Sequence, residues 1–241
     1  MRQQWADYRV FWRQFRDAYH STGAVLPSGR ALARALSHYV REPGEISDGE
    51  AASAAGDNGF QSARTAPASA RRILEVGPGT GAVTVQIIHD LRPGDQLDLV
   101  ERNDQFVAHL RERIAMAEPF RSAAGRTSLL HASVEDLPED RPYDLIISGL
   151  PLNNFSVDSV REILTKTRKL LVPGGTLSFF EYVAVRRVKS LVSGRADRER
   201  LTGISRVFRE VLSSTEVRRD LVLANVPPAW VHHVRFAGAG D

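Results

Sequence analysis

The chain contains no cysteine. Disulfides, thiol catalysis and cysteine-ligated iron–sulfur clusters are therefore excluded. No apolar run approaches the roughly 20 residues that span a bilayer. The opening residues hold several Arg and lack the apolar stretch of a signal peptide, so a cytoplasmic location is expected. The His residues are scattered apart from His232-His233, no spacing of metal-ligand type occurs, and no metal is expected. Internal repeats are absent. Large apolar residues are scarce in one long segment, the Gly/Ala/Ser-rich stretch from Pro43 to Ala70, which reads as a flexible linker. Charge of one sign is not in great excess either, with a net +3 over 241 residues. That length suffices for one sizeable core with additions.

What is present begins with Arg71-Arg72-Ile73-Leu74-Glu75-Val76-Gly77-Pro78-Gly79-Thr80-Gly81. An apolar, β-prone run enters a turn of closely spaced glycines and leaves into a helix starting at Ala82. Gly adopts backbone conformations closed to other residues and lets the main chain approach a ligand. The helix behind the turn offers unpaired N–H groups to an anionic group. The spacing is G-x-G-x-G, with Glu75 two residues before the first Gly.

A second strand, Gln96 to Glu101, ends in an acid about 20 residues further on, where a carboxylate can accept the ribose hydroxyls of a nucleoside. Arg102 follows it, and a helix over 104–116 carries Phe106, Val107, Leu110 and Ile114 on one face. A third strand, Thr127 to His131, leads into Ala132-Ser133-Val134-Glu135. The fourth, Tyr143 to Ser148, precedes Gly149-Leu150-Pro151-Leu152-Asn153-Asn154-Phe155. In an open α/β sheet, ligands lie at the carboxyl ends of the strands, so this last segment borders the reaction site. It lacks an aromatic directly after Pro151 that could stack on a base, which argues against a nucleobase substrate. Further on, a helix over 156–171, a strand over 176–182, a helix over about 198–213 and strands from Glu216 and Trp230 complete an alternating α/β pattern.

The amino-terminal region is basic, with seven Arg against Asp7 and Asp17 in residues 1–41. Within residues 2–20, Trp5, Tyr8, Trp12, Phe15 and Tyr19 fall at helical spacing, with Arg9, Arg13 and Arg16 along one border. Such a face suits lipid headgroups and an anionic membrane surface. The same stripe also suits packing on the domain as core, or RNA. Arg186, Arg187, Lys189, Arg195, Arg198 and Arg200 form a second basic cluster, read equally well as an anion-facing patch or a solvated face.

The glycine motif resembles the first motif of class I S-adenosylmethionine methyltransferases. Thr22-Gly23-Ala24-Val25-Leu26-Pro27-Ser28 with Arg30-Ala31-Leu32-Ala33, Ser148-Gly149-Leu150-Pro151-Leu152, and Asn225-Val226-Pro227-Pro228-Ala229 resemble bacterial phospholipid N-methyltransferases, close to aminolipid and ornithine-lipid N-methyltransferases. The resemblance implies an α/β, Rossmann-like fold with a mostly parallel seven-stranded sheet, helices on both faces and an N-terminal amphipathic helical extension. It implies three parts: residues 1–42 as a membrane- and substrate-facing extension, 43–70 as the linker, and 71–241 as the methyltransferase domain.

The implied cofactor is S-adenosylmethionine, and its implied contacts are Glu75, Gly77, Pro78, Gly79, Thr80, Gly81, Glu101, Arg102, Ser133, Val134, Glu135 and Ser148. Ser133 stands where the family usually carries an Asp that meets the adenine amino group, so that contact falls to Ser133, to Glu135 or to backbone. The implied reaction moves a methyl group to the amine of phosphatidylethanolamine or its methylated derivatives at the inner face of the membrane. Because an alkylammonium loses its proton only near pH ~10, a proton acceptor or a desolvating site helps. Tyr182, Ser148, Gly149, Asn153 and Tyr19 are the catalytic candidates, with Glu181 beside them, and Tyr182 is favoured because it ends a strand at the reaction edge. Ornithine-lipid methylation, rRNA adenine dimethylation and a non-catalytic cofactor-binding module are the competing readings.

Overall fold

The computed structural model describes residues 27–41, 70–183, 195–225 and 227–236. A seven-stranded sheet in the order β3-β2-β1-β4-β5-β7-β6 forms its centre. The strands are β1 (Arg72–Val76), β2 (Gln96–Glu101), β3 (Thr127–His131), β4 (Tyr143–Ser148), β5 (Leu171–Tyr182), β6 (Glu216–Val222) and β7 (Ala229–Arg235). The first five pair in parallel, and β7 runs antiparallel to both β5 and β6. This is the expected Rossmann-like sheet closed by an antiparallel hairpin.

Central strands buried on both faces must be apolar nearly throughout, and Ile73, Leu74, Val76, Ile146 and Ile147 are all buried. Two apolar layers result. On one face, α6 (Val157–Leu170) and α7 (Arg195–Thr215) cover Leu74, Ile146, Leu177 and Phe179. On the other, α1 (Pro27–Leu36), α2 (His38–Arg41), α3 (Ala82–Asp90) and α4 (Asp104–Met116) cover Ile73, Leu99, Ile147 and Phe180, with the short α5 (Phe120–Ala123) at the margin.

Residues 27–41 are tied into this unit by Arg71. Its guanidinium donates to the Tyr39 carbonyl at 3.1 Å, to the Val40 carbonyl at 2.8 Å and to Asp95 at 2.6 Å. The pair is buried, and a buried charge pair persists only where further hydrogen bonds satisfy it. The two carbonyls from α2 supply them, so the helices before the expected linker dock at the amino end of β1.

The local boundaries follow the chemistry of the termini. Asn103 caps α4, its side chain accepting from the amides of Gln105 and Phe106. Ser156 caps α6 by accepting from Ser159. The strand expected over 176–182 begins earlier: β5 starts at Leu171 and runs through Pro173-Gly174-Gly175, with the β4 register shifting between Tyr143 and Leu145 and Gly174 at φ 76°. A left-handed glycine lets the strand accommodate that irregularity. The amphipathic stripe of residues 2–20, Tyr19 and all but the last residue of the 43–70 linker lie outside the described residues.

Candidate active site

The strand order reverses direction at β1, which sits between β2 and β4. At such a switch point the loops leaving two adjacent strands diverge and open a crevice. The loops here are Gly77–Gly81 after β1 and Gly149–Phe155 after β4. They pass very close. The Gly149 amide donates to the Val76 carbonyl at 2.9 Å, and the Gly77 amide donates to the Val100 carbonyl at 3.0 Å. A Cβ on Gly77 would lie 2.4 Å from Leu150 Cδ2, and one on Gly149 would lie 2.8 Å from the Gly77 carbonyl oxygen. Gly77, Gly79 and Gly81 all have positive φ, at 71°, 57° and 81°. The turn is thus glycine by backbone geometry and by lack of room. Pro78 and Thr80 are buried within it.

Glu101 ends β2 beside this turn, with 2% of its surface exposed. Its Oε2 accepts from the Gly79 amide at 3.1 Å and its Oε1 from the Asn103 amide at 2.8 Å. Burial pushes its carboxyl upward, and these amides oppose the rise. A carboxylate offers about four lone-pair sites, so two amides leave acceptor capacity for hydroxyls. Arg113, on α4, closes the outer side: its guanidinium donates to the Thr80 carbonyl and stacks on Phe120 at 4.2 Å. The sequence reading passed over Arg113, although it lies three residues beyond Leu110 on the helix that follows Glu101.

Glu75 lies under α3, on the face shared with Ile73, and is fully buried. Neither of its carboxylate oxygens, nor the Thr84 hydroxyl on α3, completes a hydrogen bond among the described residues. Burial pushes its pKa up to about 8; the Thr84 hydroxyl opposes the rise and the Glu101 charge adds to it. An orphaned acceptor pair below a glycine turn is costly unless a ligand or water supplies donors.

Ser133 follows β3 at the mouth of an open cleft of about 970 Å³, lined also by Arg102, His131, Glu135 and Lys166. The Ser133 hydroxyl donates to the Glu135 carboxylate, which leaves Glu135 oxygens as the acceptors of that corner. His131 Nε2 lies 3.3 Å from the Arg102 carbonyl and 3.1 Å from Asp104 Oδ1 at the start of α4. Val134 is buried in the apolar layer under α6.

The loop after β4 gathers the remaining candidates. Ser148 is buried, and its hydroxyl accepts from the Leu150 amide at 3.4 Å. Asn153 is buried, and its Oδ1 has no partner among the described residues. Leu152 and Phe155 are buried in the core. Arg200 of α7 donates to the carbonyls of Asn153 at 2.7 Å and Phe155 at 2.9 Å, and pairs with Asp197 at 2.9 Å. It is thus a clamp on this loop, whereas the sequence grouped it with a basic patch; an acid three residues upstream on a helix was the available signal. Tyr182 ends β5, packs edge-on against Phe180 at 5.1 Å, and burial raises its phenol.

The residues fit a nucleoside bearing a cationic amino-acid tail: a turn with no room for side chains, an acid for hydroxyls, and an unsatisfied buried carboxylate. Residues 73–175 match the family described as methyltransferase domain. The ornithine lipid N-methyltransferase of Singulisphaera acidiphila is 29% identical over 110 residues, which are 46% of this chain and 57% of that protein. A ribosomal RNA small subunit methyltransferase A from Synechocystis is 32% identical over 106 residues, covering 43% of this chain and 36% of that protein. The matched part of the chain thus spans less than two thirds of the length of these curated relatives. Among solved structures, the O-methyltransferase TomG of Streptomyces achromogenes, in complex with S-adenosylmethionine, superposes with a TM-score of 0.58 at 16% identity over 92% of this chain and 86% of that one. Residues 73–175 thus resemble a methyltransferase domain, and the lining of the site fits S-adenosylmethionine, the group bound in the TomG structure.

Proposed function

We propose that the chain is an N-methyltransferase acting on the amine headgroup of a membrane lipid, phosphatidylethanolamine or its methylated derivatives, at the membrane surface. The carrying observation is Asn153 Oδ1, a buried acceptor without a partner in the loop at the end of β4. An acceptor in that state is stabilised by a donor, and an amine brings N–H donors. The ornithine-lipid amine is the second reading, favoured by the Singulisphaera relative's name. The only aromatic of the segment 148–155 is Phe155, and it is buried in the core, unavailable to stack on a flipped base.

Bound S-adenosylmethionine supplies a methyl group on a sulfonium, already activated for transfer. The work left to the chain is alignment and proton handling. Gly77–Gly81 seat the tail, Glu101 takes ribose hydroxyls, and Glu135 and Ser133 border the base. Glu75, protonated at neutral pH beneath the turn, becomes the buried negative charge when ligand donors reach it. Ser148 and Asn153 orient the amine, with Arg200 fixing their loop. Among the described residues no helix is long and apolar enough to cross a membrane.

The test is incubation of the protein and labelled S-adenosylmethionine with vesicles containing phosphatidylethanolamine, vesicles containing ornithine lipid, and ribosomal RNA. Label in the first lipid supports the reading, and label in ornithine lipid alone replaces the headgroup. Label in RNA alone, or none in either lipid, overturns it.

A further inference from the structure

Adjacent residues His232 and His233 on β7 point to opposite faces of the sheet, and both are buried. His233 Nδ1 meets the Ser178 hydroxyl at 2.7 Å, and burial pushes its pKa down to about 4, as a neutral core histidine. His232 is placed differently. Its Nδ1 lies 2.6 Å from Glu216 Oε1, and its Nε2, which makes no hydrogen bond, faces Glu181 Oε1 at 3.5 Å. One imidazole therefore stands between two carboxylates on different strands. Arg219 of β6 shares its register position, with its guanidinium stacked on Trp230 at 4.7 Å, and Phe179 lies against its ring at 5.3 Å.

The register fixes where this group lies. Ile146 pairs with Leu177 and Ile147 with Ser178, so Ser148 is level with Phe179 and shares its face. Glu181 lies on that face too, two residues further along β5, which is roughly 7 Å toward the carboxyl edge. Its side chain is 13% exposed. Glu216 is at the far side, on the edge strand.

Building on the amine reading above, we propose that Glu181 and His232, oriented by Glu216, form the base that takes the proton from the lipid ammonium group. A tight contact of Nδ1 with a carboxylate favours the tautomer with the proton on Nδ1, which leaves Nε2 as a lone-pair site toward Glu181. The substrate N–H bond breaks and a Glu181 O–H bond forms; the free amine keeps its electron pair for the methyl group. The proton then passes from Glu181 to Nε2, 3.5 Å away. The imidazolium rests between two negative charges. It discharges by the same route, through Glu181 to water, once product leaves. Glu181 is thereby the catalytic residue, and His232 and Glu216 are positioning residues.

The test combines a substrate-independent measurement with kinetics on the full chain. Nitrogen-15 NMR of the protein with S-adenosylhomocysteine reads the His232 tautomer; Nδ1–H is expected, and Nε2–H overturns the proposal. Kinetics use vesicles of whichever aminolipid the wild type methylates. Glu181→Gln is expected to lower kcat by at least roughly a hundredfold, with KM for lipid unchanged. Glu216→Gln keeps a side-chain acceptor for Nδ1–H but removes the charge, so kcat falls, the acid limb of the pH profile moves to lower pH, and Glu216→Asp restores both. Wild-type kcat and an unmoved acid limb in both Gln variants mean that the trio only ties β5, β6 and β7 together, and overturn the proposal. A wild type that methylates no lipid refutes the substrate reading instead, and the tautomer then decides the arrangement alone.

Discussion

The backbone amide of Gly79 donates to Glu101 Oε2 at 3.1 Å, so the acid at the end of β2 is bonded directly to the turn after β1. The same carboxylate holds the Asn103 amide at 2.8 Å and so the start of α4. Glu101 is therefore the brace that sets the turn's shape, and in the proposed reading it also takes the ribose hydroxyls. Glu101→Ala leaves the buried Gly79 amide without an acceptor, at about 1–3 kcal/mol, and frees the half-buried Asn103 amide, which water can reach. Calorimetry with S-adenosylhomocysteine is expected to show affinity at least roughly tenfold weaker, with a lower Tm. Glu101→Gln retains one acceptor oxygen and should lose less of both.

Glu75 gives a pH dependence of known sign. Its carboxyl, ordinarily near 4.5, is pushed up to about 8 in the fold. From pH 4.5 to pH 8 the native state binds a proton that the unfolded chain has released. Stability from this group is complete below pH 4.5, falls as pH rises through that window, and is fully lost above pH 8. Glu75→Gln removes that slope. In thermal melts without cofactor, the Gln variant and the wild type should differ least near pH 5, and the variant should gain on the wild type as pH approaches 8. Ligand donors that reach Glu75 favour its ionised form, so wild-type binding at pH 7 should release protons. Calorimetry in two buffers of different ionisation enthalpy reads that release, and Glu75→Gln should abolish it.

The glycine turn separates two penalties usually met together. Gly77→Ala meets strain at φ 71° and a Cβ 2.4 Å from Leu150 Cδ2, whereas Gly149→Ala meets the Gly77 carbonyl at 2.8 Å. A side-chain tip can retreat and a backbone oxygen cannot. Leu150→Ala should therefore partly restore cofactor binding to Gly77→Ala, leaving about 1–2 kcal/mol of backbone strain. It should do nothing for Gly149→Ala. Titration of S-adenosylhomocysteine into the four variants checks this.

The sequence makes this framework legible where chemistry is local. The glycine spacing and the acid at the end of β2 mark the tight turn and its brace without coordinates. The strands Gln96–Glu101, Thr127–His131 and Tyr143–Ser148 fall where apolar, β-branched runs place them. What escapes is long-range. Arg71 looks like a charge at a strand entrance, yet it holds carbonyls of Tyr39 and Val40 across more than thirty positions. Ser133 looks like an adenine contact, and its hydroxyl is engaged by Glu135. His232 looks like one half of a pair and is defined by Glu181 and Glu216 from two other strands. No periodicity encodes partners brought together only by sheet register. The reading of residues 2–20 as a membrane-facing stripe concerns residues outside those described.

Arg200 offers a way to separate cofactor binding from transfer. It does not touch the glycine turn; it holds the Asn153 and Phe155 carbonyls from α7. Hydrogen bonds from a charged donor contribute about 1.5–3 kcal/mol, and here they fix the loop that carries Asn153. Arg200→Ala should leave the Kd for S-adenosylhomocysteine within about twofold of wild type while raising KM for the lipid and lowering kcat, because alignment errors near 1 Å cost on the order of a hundredfold. Arg200→Lys, a point charge without the fork that spans two carbonyls and Asp197, should recover only part of that loss. Calorimetry for the ligand alongside vesicle kinetics measures both. A parallel fall in cofactor affinity would show instead that the loop after β4 and the turn after β1 move as one piece, as the close approach of Gly149 to Gly77 permits.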